Sequence, residues 1–330
     1  MVWALLDAGE EVVVIDRLSN GFRWAIAPQA RFYLGDVADA SVLSQIFEEN
    51  DIETILHFAG SIVVPESISN PLDYYENNTS NTRALAAFAI AQGVRNFVLS
   101  STAAVYGKQE SDAPVSETAI LSPENPYGLS KLMSEIILRD AASAHDFNYV
   151  ALRYFNVAGA DAKGRAGPSS EAATNLIKVA CEAAVGKRRK VEVYGTDYAT
   201  HDGTGVRDYI HVSDLVDAHL RAIRYLRQGG TSLIANCGYG HGYSVLDVLH
   251  AVSEEYGRDF KVDYLPRRPG DIATMVADAS RARTELGWKP RFDNLRTIVR
   301  TALAWEVTLD DLRQNEIGEM HRKLAFAGYR

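Results

Sequence analysis

A chain of 330 residues with 47% apolar side chains can bury the core of one large or two ordinary folded units. Its formal net charge of -9 excludes a general nucleic-acid surface, and no apolar run approaches the roughly 18 residues that span a bilayer, so no membrane segment is expected. The two cysteines, Cys181 and Cys237, stand far apart without metal-knuckle spacing, which indicates neither a disulfide framework nor a zinc site and points to a reducing, cytoplasmic compartment with no metal.

The chain opens "MVWALLDAGEEVVVIDRLSNG", an apolar stretch of helical spacing that runs from Met1 straight into a strand ending at Asp16. A helix "SVLSQIFEEN", a strand "ETILHFAG", a helix "TRALAAFAIAQGV" and a strand "NFVLSS" follow. Alternation of this kind predicts a doubly wound, Rossmann-type parallel sheet. Gly9 and Gly93 fall where helices should end and supply the left-handed residue that stops them. Next come "NPYGLSKLMSEIILRDAASAH", a long helix led by Pro126, and the buried strand of "NYVALRYFNVAG".

Beyond about Asn156 the texture changes to loops rich in Gly, Asp and Arg between helices, which predicts a smaller α/β unit built on the sheet. The expected division is 1–155 for a dinucleotide and 156–330 for a substrate, sharing an interface because no linker separates them. Ser244 with Asp247 predicts a capping box opening the helix "VLDVLHAVSEEYG". "GYGHGYS" at Gly238 to Ser244 has the look of a phosphate loop but lacks an acidic partner at the right distance, and it reads as a turn. "NNTS" at Asn77 to Ser80 fits the glycosylation pattern, which matters only in a secreted protein.

In a dinucleotide-binding sheet the first strand feeds a glycine-rich turn, and an acidic residue about 20 positions later holds the adenosine ribose. Asp16 is that acid; it favours NAD by repelling a 2'-phosphate, although the adjacent Arg17 pulls the other way, and the residue also reads as a solvated strand end. Counting back from Asp16, the glycine turn would fall just before Met1. The expectation is therefore that the central strand and its loop are cut off, leaving two neighbouring strands with unpaired backbone groups. A misassigned start codon is preferred to a damaged copy, because the other motifs are intact.

Thr102 in "LSSTAAVYG", with Tyr127 and Lys131 in "YGLSK", forms the sharpest chemical constellation. A spacing of four on a helix places the phenol and the ammonium side by side. A free phenol titrates near 10, so bringing it toward 7 takes about 4 kcal/mol. A cation about 4 Å away at an effective dielectric of about 20 supplies roughly that. Lys131 is thus expected to make Tyr127 a usable base, with the Thr102 hydroxyl steering the proton.

With "LHFAG", "PLDYYENN", "FVLSSTAAVYG", "PYGLSKLMSE", "LRYFNVAGA", "DGTGVRDYIHVSDL" and "RRPGDIATMVADASRARTELGW" on the page, the chain resembles an extended short-chain dehydrogenase/reductase, most closely the UDP-glucose 4-epimerase family, over nearly its whole length apart from the opening. The resemblance implies NAD held by Asp16, Arg17, Leu18, Ser19 and Asn20 at the adenosine ribose and by Asp36 and Val37 at the adenine. It implies Phe58, Ala59, Gly60 and Asn77 along the pyrophosphate and nicotinamide ribose, and Phe155 beside the nicotinamide, with Thr102, Tyr127 and Lys131 touching cofactor and Thr102 and Tyr127 touching substrate. It places UDP against Asn156, Asn175, Leu176, Tyr194, Arg207, Arg268 and Asp271, where two arginines suit a diphosphate. Met275 matches a position that gates N-acetylated sugars, and a flexible methionine leaves the substrate range open, including pentose and uronic nucleotide sugars.

The implied reaction interconverts UDP-galactose and UDP-glucose through a 4-keto sugar with no net use of NAD. A 4,6-dehydratase is disfavoured because Ala103 and Ala104 stand where that subfamily carries Asp-Glu. A non-catalytic nucleotide-binding protein would have no need of Thr102, Tyr127 and Lys131 together. A homodimer is implied too, through the apolar faces of "TRALAAFAIAQ" and the Tyr127 helix.

Overall fold

The structure, a computed structural model, describes residues 1–109, 111, 113–170, 173–268 and 270–327. In chain order its first half runs α1 (Val2–Asp7), β1 (Val13–Asp16), β2 (Arg31–Leu34), α2 (Ala40–Glu49), β3 (Thr54–His57), α3 (Val64–Ser69), α4 (Pro71–Tyr74), a π-helical stretch Tyr75–Ser80, α5 (Asn81–Ala91), β4 (Asn96–Thr102), α6 (Pro126–Ala144) and β5 (Asn148–Tyr154). The second half runs β6 (Asn156–Ala158), α7 (Leu176–Ala184), β7 (Val191–Tyr194), β8 (Val206–Arg207), β9 (Tyr209–His211), α8 (Val212–Arg227), β10 (Leu233–Cys237), β11 (Tyr243–Ser244), α9 (Val245–Tyr256), β12 (Val262–Leu265), β13 (Thr274–Met275), α10 (Ser280–Glu285) and α11 (Leu295–Ala327).

The parallel sheet is present, in two pieces. One piece is β1 beside β2; the other has the order β10-β5-β4-β3. Ile15 of β1 and Ile55 of β3 pack against one core built on Leu43, Phe97 and Leu99, yet β1 pairs only with β2 and β3 only with β4 among the described residues. Burial follows the same line: β1 and β3 are mostly half-buried, whereas β4 and β5 are buried along nearly their whole length.

Local chemistry accounts for the element ends. Gly9 at φ 80 and Gly93 at φ 78 take the left-handed conformation in which a side chain is strained, and each closes a helix. Asn125 accepts the Gly128 N–H at 2.9 Å and caps α6, with Pro126 in the first helical position. Ser244 and Asp247 form the reciprocal capping box of α9. The segment Gly238 to Ser244 is a turn held from below: buried Asp208 accepts the N–H groups of Tyr239 and Gly240 at 2.9 and 3.0 Å. Asp214 likewise accepts the Tyr239 hydroxyl and the Arg291 and Phe292 N–H groups, tying α8 to the loop before α11.

The second half is interwoven with the first. Strand β10 lies beside β5, α8 packs on β4 and β5, and the largest core runs without a break from Val98 and Leu152 to α7, α8, α9 and α11. Short strands β8, β11 and β13 make a three-stranded sheet. Register pairs Arg207 with Met275 there, and Thr102 with Tyr154 in the main sheet.

Candidate active site

The carboxyl ends of the parallel strands open on a cleft of about 2060 Å³. Thr102 ends β4 and Tyr127 stands in the first turn of α6; both line the cleft and both are buried, at 8% exposure each. The Thr102 hydroxyl accepts the Ala104 N–H at 3.2 Å and lies near enough to the Tyr127 phenol to act on it. Lys131, one turn further along α6, is 4% exposed and does not line the cleft. A methyl group added at Gly60 would stand 3.5 Å from the Lys131 ammonium and 2.7 Å from the Asn78 amide oxygen, so the backbone of the β3 loop and the lysine share a narrow space. Helix α6 reaches this position because Gly128 meets the Ala104 carbonyl backbone to backbone; a Cβ there would lie 2.5 Å from the oxygen.

The electrostatics correct one expectation. The Tyr127 phenol is held above its ordinary range, chiefly by burial, with nearby Tyr154 adding to the rise and the Thr102 hydroxyl offsetting part of it. Lys131 is brought down to about 8 by burial, against which Glu135 pulls upward. Spacing along the sequence reveals the attraction between the phenolate and a cation, to which an oxidised nicotinamide would add. Desolvation of both charged forms opposes it and wins here. His57, close to Lys131, is fully buried and pushed down to about 3 by burial, so its ring is neutral and hydrogen-bonds Thr82 at 2.9 Å.

At the tips of β1 and β2, Arg17, Ser19, Asn20 and Asp36 line the cleft, whereas Asp16 does not. Asp16 uses a carboxylate oxygen on the Leu18 N–H, holding Leu18 at φ 55. Arg17 pairs with Asp36 at 3.2 Å and also donates to Ser19. Val37 belongs to the core beneath, and Ala59 packs on that same core. Further along, Phe58, Gly60 and Asn77 line the cleft, with Phe155 at the catalytic end. The π-helical stretch explains how two successive asparagines part company. Asn77 faces the cleft and donates to Ser61 Oγ at 2.8 Å, while Asn78 turns inward, accepting the Ser61 N–H and donating to Ser130 Oγ. Asn78 is 1% exposed, which removes it as a glycosylation site.

These residues fit a dinucleotide at its two ends: polar groups at the tips of β1 and β2 suit a ribose and a purine edge, and two aromatic rings with buried hydroxyls suit a nicotinamide. On the substrate side, Asn156 and Asn175 line the same cleft. Asn175 caps α7 and donates to the Val157 carbonyl at 2.8 Å, and Leu176 opens that helix. Tyr194, Arg207, Arg268 and Asp271 gather separately around β7 and β8 and do not line the cleft. Arg268 lies 4.6 Å over the Tyr194 ring and pairs with Asp271 at 2.9 Å, and half-buried Arg207 is held below its ordinary range by desolvation, with Tyr209 and Asp271 pulling the other way. Met275 bridges the two groups: it is buried in one small cluster with Phe155, Val105 and Tyr106.

Among the cleft residues that escape the sequence reading, three stand near the Tyr127 end or the β3 loop. Tyr154, Tyr74 and Ser61 line the cleft. Tyr74 stands edge-on to Tyr127 with ring centres 6.4 Å apart and donates its hydroxyl to the Val63 carbonyl. The stretches "PLDYY" and "LRYFN" around two of them were legible as motifs, but only pairing and helix phase decide which tyrosine turns inward.

A parallel sheet whose strand end carries a threonine, followed by a helix carrying tyrosine and lysine four apart, defines an enzyme that works on a carbinol beside a bound dinucleotide. The chain belongs to the NAD dependent epimerase/dehydratase family, whose description matches residues 1–238. It is 51% identical over 307 residues to the UDP-glucose 4-epimerase of Azospirillum brasilense, covering 93% of this chain and 88% of that protein. Among solved structures, a UDP-glucose 4-epimerase superposes with a TM-score of 0.91 at 40% identity, covering 93% of each chain. The UDP-glucose 4-epimerase of Bifidobacterium longum, in complex with NAD+ and UDP, superposes with a TM-score of 0.87 at 38% identity, covering 92% of this chain and 93% of that one.

Proposed function

We propose that this chain interconverts UDP-glucose and UDP-galactose as an NAD-dependent 4-epimerase. The observation that carries the reading is the meeting of Thr102, Tyr127 and Lys131 at one end of a cleft large enough for a dinucleotide and a hexose, in a chain this similar to known 4-epimerases. Bound oxidised NAD supplies a hydride acceptor and a positive ring beside the phenol, so a 4-keto sugar can form and be reduced again without net consumption.

The chain's own groups do the rest. Tyr127 takes the proton of the sugar 4-hydroxyl and returns it, and Thr102, near the phenol, hydrogen-bonds the same sugar oxygen. The phenol's burial makes its anion costly, and a cationic Lys131, four residues further along α6, is the group placed to offset part of that cost. Asp36, Arg17, Ser19 and Asn20 hold the adenosine end, with Asp16 setting their loop; Asn77 and the backbone at Gly60 line the path to the nicotinamide, where Phe155 packs. Arg207, Arg268 and Asp271 with Tyr194 anchor UDP, which requires Arg268 to share or leave its pairing with Asp271. An anchored UDP leaves the keto sugar free to turn its other face, which is what epimerisation demands.

We read residues 1–155 mainly as the NAD-holding part and 156–330 mainly as the UDP-sugar part. The location is cytoplasmic, in keeping with two free, buried thiols, Cys181 and Cys237, and no described helix is long and apolar enough to cross a membrane. The working form is a homodimer formed on the outer face of α6, where Met133 and Ile136 are exposed, next to α3 and α4 with exposed Ile68 and Leu72. The test of the reaction is isotopic: UDP-galactose deuterated at C4 should give UDP-glucose that keeps the label at C4. Washout of the label to solvent, or label lost into free NADH, overturns the reading.

A further inference from the structure

Directly behind the catalytic residues lies a buried charged network that the proposed chemistry does not use. Glu135, one helical turn beyond Lys131 on α6, and Arg153 on β5 are each 2% exposed and form a two-pronged ion pair, with contacts of 2.6 and 3.0 Å. Ser101 donates its hydroxyl to Glu135. Arg153 also donates to the Tyr106 hydroxyl at 3.0 Å, and Tyr106 in turn donates to Asn236 of β10 at 2.6 Å.

Its charged pair and its serine sit one step from the active site. Ser101 precedes Thr102, Arg153 precedes Tyr154 and Phe155, and Ser101 faces Arg153 in the strand register. A buried ion pair is weak evidence for stability, since apolar replacements are often as stable. Its placement calls for another explanation.

We propose that Glu135 is a positioning residue for Lys131: clamped to β4 and β5 by Ser101 and Arg153, it fixes the register of α6 and holds a carboxylate one helical turn from the Lys131 side chain. The inference rests on the epimerase reading for its consequence in catalysis, but its physical content stands on the network alone. The groups around Lys131 leave Glu135 in that role. From β3 comes His57, neutral through burial; the phenols Tyr74 of α4 and Tyr154 of β5, which stand against Tyr127, are both pushed up by burial and so uncharged. From α6 itself comes Tyr127, and from the π-helical stretch the uncharged Asn78. The Glu66 carboxylate lies on the far side of Tyr74, on its hydroxyl at 3.0 Å. Arg153 is the other charge, held on the sheet side of Glu135.

The measurement is the titration of Lys131 itself, followed by NMR of protein carrying 13C-lysine, with the resonance assigned by loss in K131M. In E135Q, which keeps the side-chain shape, the Lys131 midpoint should fall by roughly one pH unit. E135Q leaves Arg153 buried without its partner, so E135Q/R153M, which removes both charges, serves as the second variant and should show a similar fall. An unchanged midpoint in a folded variant overturns the proposal. In turnover, activity that needs a cationic Lys131 is lost as pH rises through its midpoint, so the alkaline limb of kcat should move to lower pH in E135Q while KM stays within about twofold. A purely structural role would lower thermal stability and leave both midpoint and limb in place. Wild-type protein without epimerase activity would defeat the proposed function while leaving the lysine titration to judge this inference.

Discussion

The proposed reaction gives the Tyr127 phenol, the Thr102 hydroxyl and the Lys131 ammonium separable tasks, and single substitutions should separate them. Tyr127→Phe removes the proton carrier and is expected to lower kcat by about 10³-fold with UDP-sugar affinity unchanged, measured by steady-state kinetics and calorimetry. Thr102→Val should cost less, roughly 10²-fold, because it leaves the phenol in place but unguided. Equal losses in the two variants would contradict that division. The Thr102, Tyr127 and Lys131 set was legible in the sequence because two of its members are four apart on a helix, a distance fixed by local geometry. Glu135, Tyr154 and Asn78 were not singled out. Their orientation depends on strand pairing and on a π-helical stretch, neither of which leaves a local mark. The direction of the phenol's shift was missed for another reason: spacing reveals the attracting cation but says nothing of desolvation, which requires knowing that the niche is dry.

At the scale of elements, α6 does most of the positioning, and two residues at its N-terminal end predict different failures. Gly128→Ala drives a methyl group to 2.5 Å from the Ala104 carbonyl, so the helix must back away from the loop after β4. The expected cost is about 1 to 3 kcal/mol of stability, together with a fall in kcat, since Tyr127 moves with the helix. Asn125→Ala removes the cap and should cost about 1 kcal/mol with kcat nearly intact in the folded protein. Denaturant titration paired with kinetics on both variants distinguishes them; a fully active Gly128→Ala would refute the close-approach argument. The elements themselves were well marked where period and punctuation agree, as in α6, α9 and β4. The two-residue strands β8, β11 and β13 carry too few residues for a pattern. The return of β10 to lie beside β5 is a long-range pairing, whereas the texture change near Asn156 is local, so the sequence marks a division and not the interweaving across it.

Across the whole molecule, three buried histidines tie stability to pH. Burial holds His57 at about 3, and His211 and His219 at about 4. Above pH 6.5 these rings are neutral in folded and unfolded chains alike, so their contribution is fully present there. As pH falls the unfolded chain takes up protons first, and stability drains until the folded midpoints, at up to about 1.4 kcal/mol per histidine per pH unit. Urea midpoints should therefore drop between pH 7 and pH 5, and His219→Gln should flatten the slope by about a third; coincident midpoints would contradict this. The proposed dimer has its own check, since Met133→Glu with Ile136→Glu should halve the mass seen by light scattering while each chain stays folded. The broadest claim concerns what the assembled cleft does to a sugar. Supply UDP-galactose in large excess over NAD and count product: the account predicts UDP-glucose in many molar equivalents of the NAD present, abolished by Tyr127→Phe. Product that stops at one equivalent of NAD, or sugar nucleotide bound with no turnover, would contradict it.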